Sequence, residues 1–308
     1  MTSQAHPMEQ AGAVTTARTS EARQPERALV FGGGGPVGRA WMAGLVAGLI
    51  AGGVDLGRAD LIVGTSAGAI VCAQLALGLD VVALAAEASR QPGPNIYSSA
   101  AGLDTLFADI AGAARAANPD GARAAIGRTA MAADTIGEDA FLARSVYAAL
   151  AGQPWPPSFR ATAVSATTGR LAVWSKDSHV DLVRAVASSS SIPGVSPPVT
   201  LNGDRYVDGG VRSMLNADLV AGARVVIAVS CFPLAPPDGV GTDLILRELD
   251  TITEAGGWLE TLEPGPEFLR LGGHGRRLLD ASLAPEAVEA GRRQAIAEST
   301  RLGPWMRR

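Results

Sequence analysis

The stretch Gly64-Thr65-Ser66-Ala67-Gly68 follows the apolar run at 61–63 and opens a helical stretch that reaches about residue 78. A serine between two glycines, on a sharp turn from strand to helix, is the arrangement of a nucleophile elbow. The chain must bend hard at the serine, and Gly64 and Gly68 carry no side chains to collide with the neighbouring strand and helix. The hydroxyl then stands at a helix N-terminus, where amides and the helix dipole favour negative charge. The plain alternative is a serine N-cap of an ordinary strand–helix unit.

A serine nucleophile needs a proton acceptor, and the chain has three histidines. His6 lies in a polar N-terminal stretch, and His179 follows Ser-Lys-Asp-Ser ahead of a helix as a loop residue. His274, in Leu-Gly-Gly-His-Gly-Arg-Arg, is the only one late enough for a serine, acid, histidine order. Asp208 is the other candidate. A carboxylate accepts a serine proton when it is within hydrogen-bond reach and desolvated, which raises its pKa. Gly209 and Gly210 give the backbone freedom to bring it close, yet an aspartate there also suits a simple cap of the turn after a hairpin, as Asp204 does nearby. Spacing alone leaves both readings of Asp208 open.

Gly33-x-Gly35-x-x-Gly38, in Val-Phe-Gly-Gly-Gly-Gly-Pro-Val-Gly, follows another apolar run. Bare backbone amides there can point at a developing oxyanion. The same pattern fits a dinucleotide loop with Asp55 or Asp60 as the later ribose-binding acid. A purely structural glycine turn is the third reading. The serine elbow on what should be the neighbouring strand favours the oxyanion hole.

Strand, glycine turn and helix thus occur twice in the first 80 residues, the signature of an α/β fold with a parallel sheet. Residues 81–150 read as Ala-rich helix interrupted by loop signals at 91–95 and 117–122, a helical insertion that serves as scaffold or lid. Residues 159–175 read as two strands about a Thr-Gly turn, and 180–187 as a helix ending in the serines of 188–191. Asn202-Gly203 marks a two-residue hairpin turn, with Asp208 where its second strand ends. The run 223–230 reads as a fully buried parallel strand, and everything after it as helical.

Composition bounds the answer. At 308 residues and 47% hydrophobic content the chain supports one sizeable core. A net charge of −4 gives no global basic face for nucleic acid. Cys72 and Cys231 stand alone, without a CxxC or a histidine cluster, so neither a metal site nor a disulfide framework is expected; two buried thiols in a reducing, cytoplasmic compartment are. The apolar segment at 40–54 is shorter than the ~20 residues that cross a bilayer and reads as a buried helix whose small residues press on the sheet. The division expected is a disordered tail at 1–26, one domain at 27–300 and a frayed end at 301–308.

Taken in order, the glycine loop, Gly-Thr-Ser-Ala-Gly and Asp208-Gly209-Gly210 resemble the patatin-like phospholipases, Ser-Asp dyad lipid acyl hydrolases. The likeness runs from about residue 28 to 229 and includes Ala-Ser-Ser-Ser-Ser-Ile-Pro-Gly at 187–194. The resemblance implies a three-layer α/β/α sandwich with a mainly parallel central sheet, Ser66 as nucleophile and Asp208 as proton acceptor. It also implies an oxyanion hole drawn from Gly33, Gly34, Gly35, Gly38 and the Ala67 amide, and no metal or other cofactor. The implied partner is a lipid or fatty-acyl ester met with transient membrane-surface contact, with Trp41, the 81–150 helices and the 192–198 loop as pocket walls. Two positions depart from the family pattern. Val37 stands where a basic residue commonly precedes the last glycine, leaving Arg39 either to compensate or to face solvent, and Ala217 stands where proline often follows Asn216. Three rivals remain: a Ser66–His274 triad esterase, a dinucleotide-binding domain, and a lipid binder without hydrolysis.

Overall fold

The computed structural model describes residues 24–90, 103–234 and 242–306. The expected tail lies outside these residues as far as position 23, as does the loop signal at 91–95. Pro25 and Glu26 are within them, and their carbonyls accept from Arg224 and Val225.

Eight strands form one mixed, mostly parallel sheet. They are β1 (Arg27–Phe31), β2 (Leu61–Gly64), β3 (Phe159–Ser165), β4 (Leu171–Trp174), β5 (Val199–Leu201), β6 (Asp204–Asp208), β7 (Val225–Val229) and β8 (Trp258–Leu262). The order is β5-β6-β3-β2-β1-β7-β8, with β4 also paired to β3. The expected hairpin at Asn202-Gly203 joins β5 to β6, and both turn residues take positive φ. β7 is fully buried between parallel neighbours, as its apolar run predicts.

Strand alternation sends side chains to both faces. In β1, Leu29 and Phe31 enter one core, and Ala28 and Val30 enter another. The first face is covered by helices α1 (Gly35–Ala51), α2 (Ala67–Ala76), α3 (Val81–Arg90) and, further along the chain, α8 (Leu182–Ser189) and α11 (Ala284–Glu298). The other face carries α4 (Leu103–Arg115), α5 (Pro119–Ala132) and, later, α9. The short helices α6 (Glu138–Leu142) and α7 (Ser145–Ala148) precede α8 (Leu182–Ser189), and α9 (Thr242–Glu254), α10 (Pro266–Leu271), α11 (Ala284–Glu298) and α12 (Gly303–Met306) complete the chain. Helices on both faces of the sheet make the expected three layers.

Four expectations need correction. The glycines from the middle of α1 onward meet a helix rather than the sheet: a Cβ on Gly44 would fall 1.9 Å from the Val288 carbonyl of α11, and one on Gly48 2.5 Å from Ala295 Cβ. The segment after β7 is not all helical, because β8 adds a parallel edge strand; its half-exposed, polar-containing WLETL lacks the apolar run that reveals a buried strand. The signal at 117–122 starts a helix: Asn118 caps α5 by accepting from the Gly121 amide, and Pro119 takes the first position. The C-terminal residues are packed rather than frayed as far as described, with Trp305 fully buried and donating to the Asp55 carbonyl. The 81–150 segment is also divided, α3 and α7 packing on one face and α4 and α5 on the other.

Candidate active site

The position of the site follows from how β3 is shared. β4 pairs with β3 at both Ala161 and Ala163, so it occupies one edge of that strand. The other edge goes to β2, whose Gly64 lies opposite Ala161, and then to β6, whose Asp208 lies opposite Ala163. β2 runs parallel and β6 antiparallel to β3, so their C-terminal ends converge along one edge. The residues that follow β2 and end β6 must therefore meet.

They do. The Ser66 hydroxyl donates to Asp208 Oδ2 at 2.6 Å. Ser66 has φ 56° and ψ −120°, the strained backbone of an elbow. The glycines explain why the chain can turn there: a Cβ on Gly64 would fall 2.4 Å from Ala69 Cα, and one on Gly68 would fall 2.2 Å from the Phe31 carbonyl. The Ser66 amide donates to the buried Ser189 Oγ at 3.0 Å, which ties the elbow to the end of α8.

Asp208 is held just as closely. Its Oδ1 accepts from the Gly210 amide at 2.7 Å, and its own amide donates to the Ser191 carbonyl. Only 6% of its surface is exposed. Loss of water pushes its pKa up to about 7, against the smaller opposing pull of the hydrogen bonds from Ser66 and Gly210. A carboxyl in that range can take and return a proton near neutral pH.

The glycine loop lies beside this pair, but its amides are not equivalent. Gly33 N–H donates to the Met214 carbonyl, and Gly38 N–H donates to the Gly34 carbonyl inside α1. Neither is free to meet a ligand, which corrects the wider set expected from the sequence. Gly34 and Gly35, at the start of α1, and Ala67, at the start of α2, have no intrahelical acceptor for their amides. Val37 is fully buried, with its amide on the Leu278 carbonyl, and Arg39 is buried at 7% exposure rather than facing solvent.

Ser66, Asp208 and the glycine loop open onto a common pocket. Its other walls are apolar. Leu106, Phe107 and Ile110 come from α4 and Ile192 and Pro193 from the loop after α8, as the sequence suggested. Met214, Phe232, Leu278 and Leu279 were not foreseen, because each sits in a segment without a motif of its own. Trp41 is no wall: it is fully buried against Phe268 and donates to Gln294.

The other candidates fall elsewhere. His274 is exposed, and the Ser66 proton points to Asp208 instead. His179 is an exposed left-handed cap, and His6 lies outside the described residues. Asp55 caps its own turn at Gly57, and Asp60 precedes β2 at the N-terminal ends of the strands, the end of the sheet away from the glycine loop, where it accepts from the Glu26 and Arg27 amides. A ribose held at that loop would not reach either acid. Cys72 and Cys231 are buried free thiols whose pKa values burial raises.

Buried polar residues beside the pair fasten it in place, Thr162 among them without any sequence signal of its own. Thr65 and Thr162 hydroxyls lie 2.8 Å apart, and Asn216 Nδ2 donates to Thr65 Oγ1 at 3.0 Å. These buried contacts join strands that are far apart in the chain. Among the described residues no group of His, Cys, Asp and Glu is arranged to hold a metal ion, and no helix is long and apolar enough to cross a membrane.

A family model described as patatin-like phospholipase matches residues 29–221. No curated protein matches the chain. Similar solved structures include VipD from Legionella pneumophila, at 12% identity and a TM-score of 0.42, covering 87% of this chain and 67% of that one. The type III effector protein ExoU is 17% identical at a TM-score of 0.43, covering 92% of this chain and 54% of its own. ExoU from Pseudomonas aeruginosa in complex with SpcU is 18% identical at a TM-score of 0.37, covering 87% and 53%. The chain thus spans between about half and two-thirds of the length of these proteins.

Proposed function

Because the chain belongs to the patatin-like phospholipase family, we propose that it is a serine hydrolase that cleaves carboxylic ester bonds of lipids through a Ser66–Asp208 dyad. The observation that carries this reading is the 2.6 Å hydrogen bond from the Ser66 hydroxyl to a buried carboxylate. Asp208 takes the Ser66 proton as Oγ attacks the ester carbonyl. The amides of Gly34, Gly35 and Ala67 receive the oxyanion, a contribution worth about 10²–10³ in rate per donor in comparable sites. Asp208 returns the proton to the departing alcohol and leaves an acyl-enzyme. Water deprotonated by Asp208 then releases the fatty acid and restores Ser66.

The pocket suits this substrate class. Its apolar walls match an acyl chain. Each methylene moved from water onto such walls contributes about 0.8 kcal/mol, so acyl length should govern affinity. The two buried free thiols are in keeping with a reducing compartment such as the cytoplasm.

The test compares initial rates on a mid-chain p-nitrophenyl ester for the wild type, Asp208→Asn and His274→Ala, with fluorophosphonate labelling of the wild type and Ser66→Ala. Expected are labelling that disappears with Ser66 and turnover that is lost in Asp208→Asn and kept in His274→Ala. Undiminished labelling of Ser66→Ala, or loss of turnover only in His274→Ala, ends the dyad. A phospholipid and acylglycerol panel then separates phospholipase from simple esterase activity.

A further inference from the structure

Under the Asp208 turn lies a buried acid that the chemistry above does not use. Glu248 belongs to α9, beyond the residue 221 at which the family match ends. It is 4% exposed. Its Oε2 accepts from the Ser213 hydroxyl at 2.9 Å and from the Ala217 amide at 3.0 Å. The second donor exists because residue 217 is not a proline. Its Oε1 has no hydrogen bond and lies 3.5 Å from Arg212 Nη1.

The turn that Glu248 grips touches all three loops of the site. Ser213 Oγ, having given its proton to Glu248, accepts from the Leu215 and Asn216 amides at 3.2 and 3.1 Å. Asn216 is held at φ 58°, the left-handed region that asparagine tolerates better than most L-residues. From there its Nδ2 donates to the Ser213 carbonyl at 2.7 Å, to Thr65 Oγ1 at 3.0 Å and, more weakly, to the Gly209 carbonyl at 3.4 Å. Arg212 Nη1 donates to Asn216 Oδ1 and so fixes which end of the amide faces Thr65, while Asp218 holds Arg212 through both terminal nitrogens. Thr65 precedes Ser66, and Gly209 follows Asp208. The third loop is reached through Met214, whose carbonyl takes the Gly33 amide.

We infer that Glu248 is a positioning residue: by holding the 213–217 turn it fixes, through Asn216 and Met214, the spacing of the loops that carry Ser66, Asp208 and the glycine amides. The inference rests on the dyad reading above. Small displacements at such a site are costly, because a catalytic pair misplaced by about 1 Å can lose ~10²-fold in rate. Burial and the nearby Asp218 raise the Glu248 pKa to about 7, against Arg212 and the two hydrogen bonds. The acceptor at Oε2 survives either protonation state, so its shape and lone pairs matter more than its charge. Glutamine, which keeps that oxygen, should therefore replace it.

The experiment measures kcat, KM and the pH–rate profile of the full chain as wild type, Glu248→Ala and Glu248→Gln, per active site counted with a fluorophosphonate. Expected for Glu248→Ala is a kcat lower by about tenfold or more, a KM changed by no more than about twofold, and an acid limb displaced to lower pH as water reaches Asp208. Glu248→Gln should recover most of the loss. A merely structural Glu248 would lower the count of active sites and leave kcat per site and the acid limb at wild-type values, which overturns the inference. Should Glu248→Ala not fold, Ser213→Ala removes the hydroxyl that joins Glu248 to the Leu215 and Asn216 amides, and wild-type kcat in that variant overturns the inference as well. If the wild type neither turns over esters nor reacts with the probe, the proposed function fails instead. Hydrogen exchange then decides the positioning alone: faster exchange at Gly33, Gly210 and Asn216 in Glu248→Ala than in Glu248→Gln supports it, and equal exchange overturns it.

Discussion

The Ser66 hydroxyl donates to Asp208 Oδ2 at 2.6 Å, and each of the two side chains keeps only 6% of its surface exposed. The bond is short enough for direct proton transfer. It joins residues 142 positions apart, through two strand ends that meet on one edge of β3. Its dryness sets the pH behaviour of the site.

Asp208 can serve as a base only when ionised, and burial raises its pKa to about 7. Below that value it holds a proton and cannot accept another. The expected profile of kcat/KM therefore falls with a single acid limb near pH 7, read from initial rates between pH 5 and 9. A limb near 4 would mean that water reaches the carboxylate.

The same shift links to stability with a definite sign. Between the ordinary value of 3.8 and about 7 the folded state binds more protons at Asp208 than the unfolded state, so its contribution weakens as pH rises through that window. Asp208→Asn removes the penalty while keeping a group that can bond both Gly210 and Ser66. The variant should be inactive yet more stable at pH 8, by an amount on the order of a few kcal/mol, and the gain should shrink at pH 5. Urea midpoints at the two pH values measure it. A variant less stable than wild type at pH 8 contradicts the desolvation account.

Ser189 receives the Ser66 amide inside the core. Ser189→Ala strands that N–H at a cost of about 1–3 kcal/mol and loosens the strained φ of Ser66. Both the urea midpoint and kcat should fall, with KM little changed.

Gly68 offers a steric test. Gly68→Ala forces a Cβ into the Phe31 carbonyl at 2.2 Å, a backbone contact that cannot rotate away. The expected loss is about 3 kcal/mol or more, measured by denaturant unfolding or seen as insoluble protein. Wild-type stability would mean that the strand–helix contact at the elbow is looser than described.

Acyl-chain selectivity should respond at α4, where Ile110 lines the pocket. Ile110→Trp shortens the space available, and the ratio of hexadecanoate to butyrate p-nitrophenyl ester hydrolysis should drop about tenfold. An unchanged ratio would move the acyl chain to another wall.

Much of this was legible in one dimension because it depends on local chemistry. Gly-Thr-Ser-Ala-Gly after an apolar run, Asn-Gly between short strands and the glycine run after β1 each announce a backbone shape that few other residues allow, and each appears where expected. Ser66 as a nucleophile and the α/β class follow from those signals together with the order in which they occur, whereas Asp208 kept two readings by spacing alone and was singled out by the family resemblance. What the sequence could not decide was anything that depends on distant partners. Which glycine amides stay free was set by Met214 and by the helix start at Gly34, not by the glycines themselves. β8 stayed hidden because its half-exposed Trp-Leu-Glu-Thr-Leu has neither a regular alternation nor a buried apolar run. The wet or dry state of Asp208, the anchors Ser189 and Asn216, and the grip of Glu248 on the 213–217 turn all arise from side chains that meet only when the sheet brings far-apart segments to one edge. Local pattern fixes what each segment can be, and tertiary packing fixes the distances and the dielectric on which the chemistry depends.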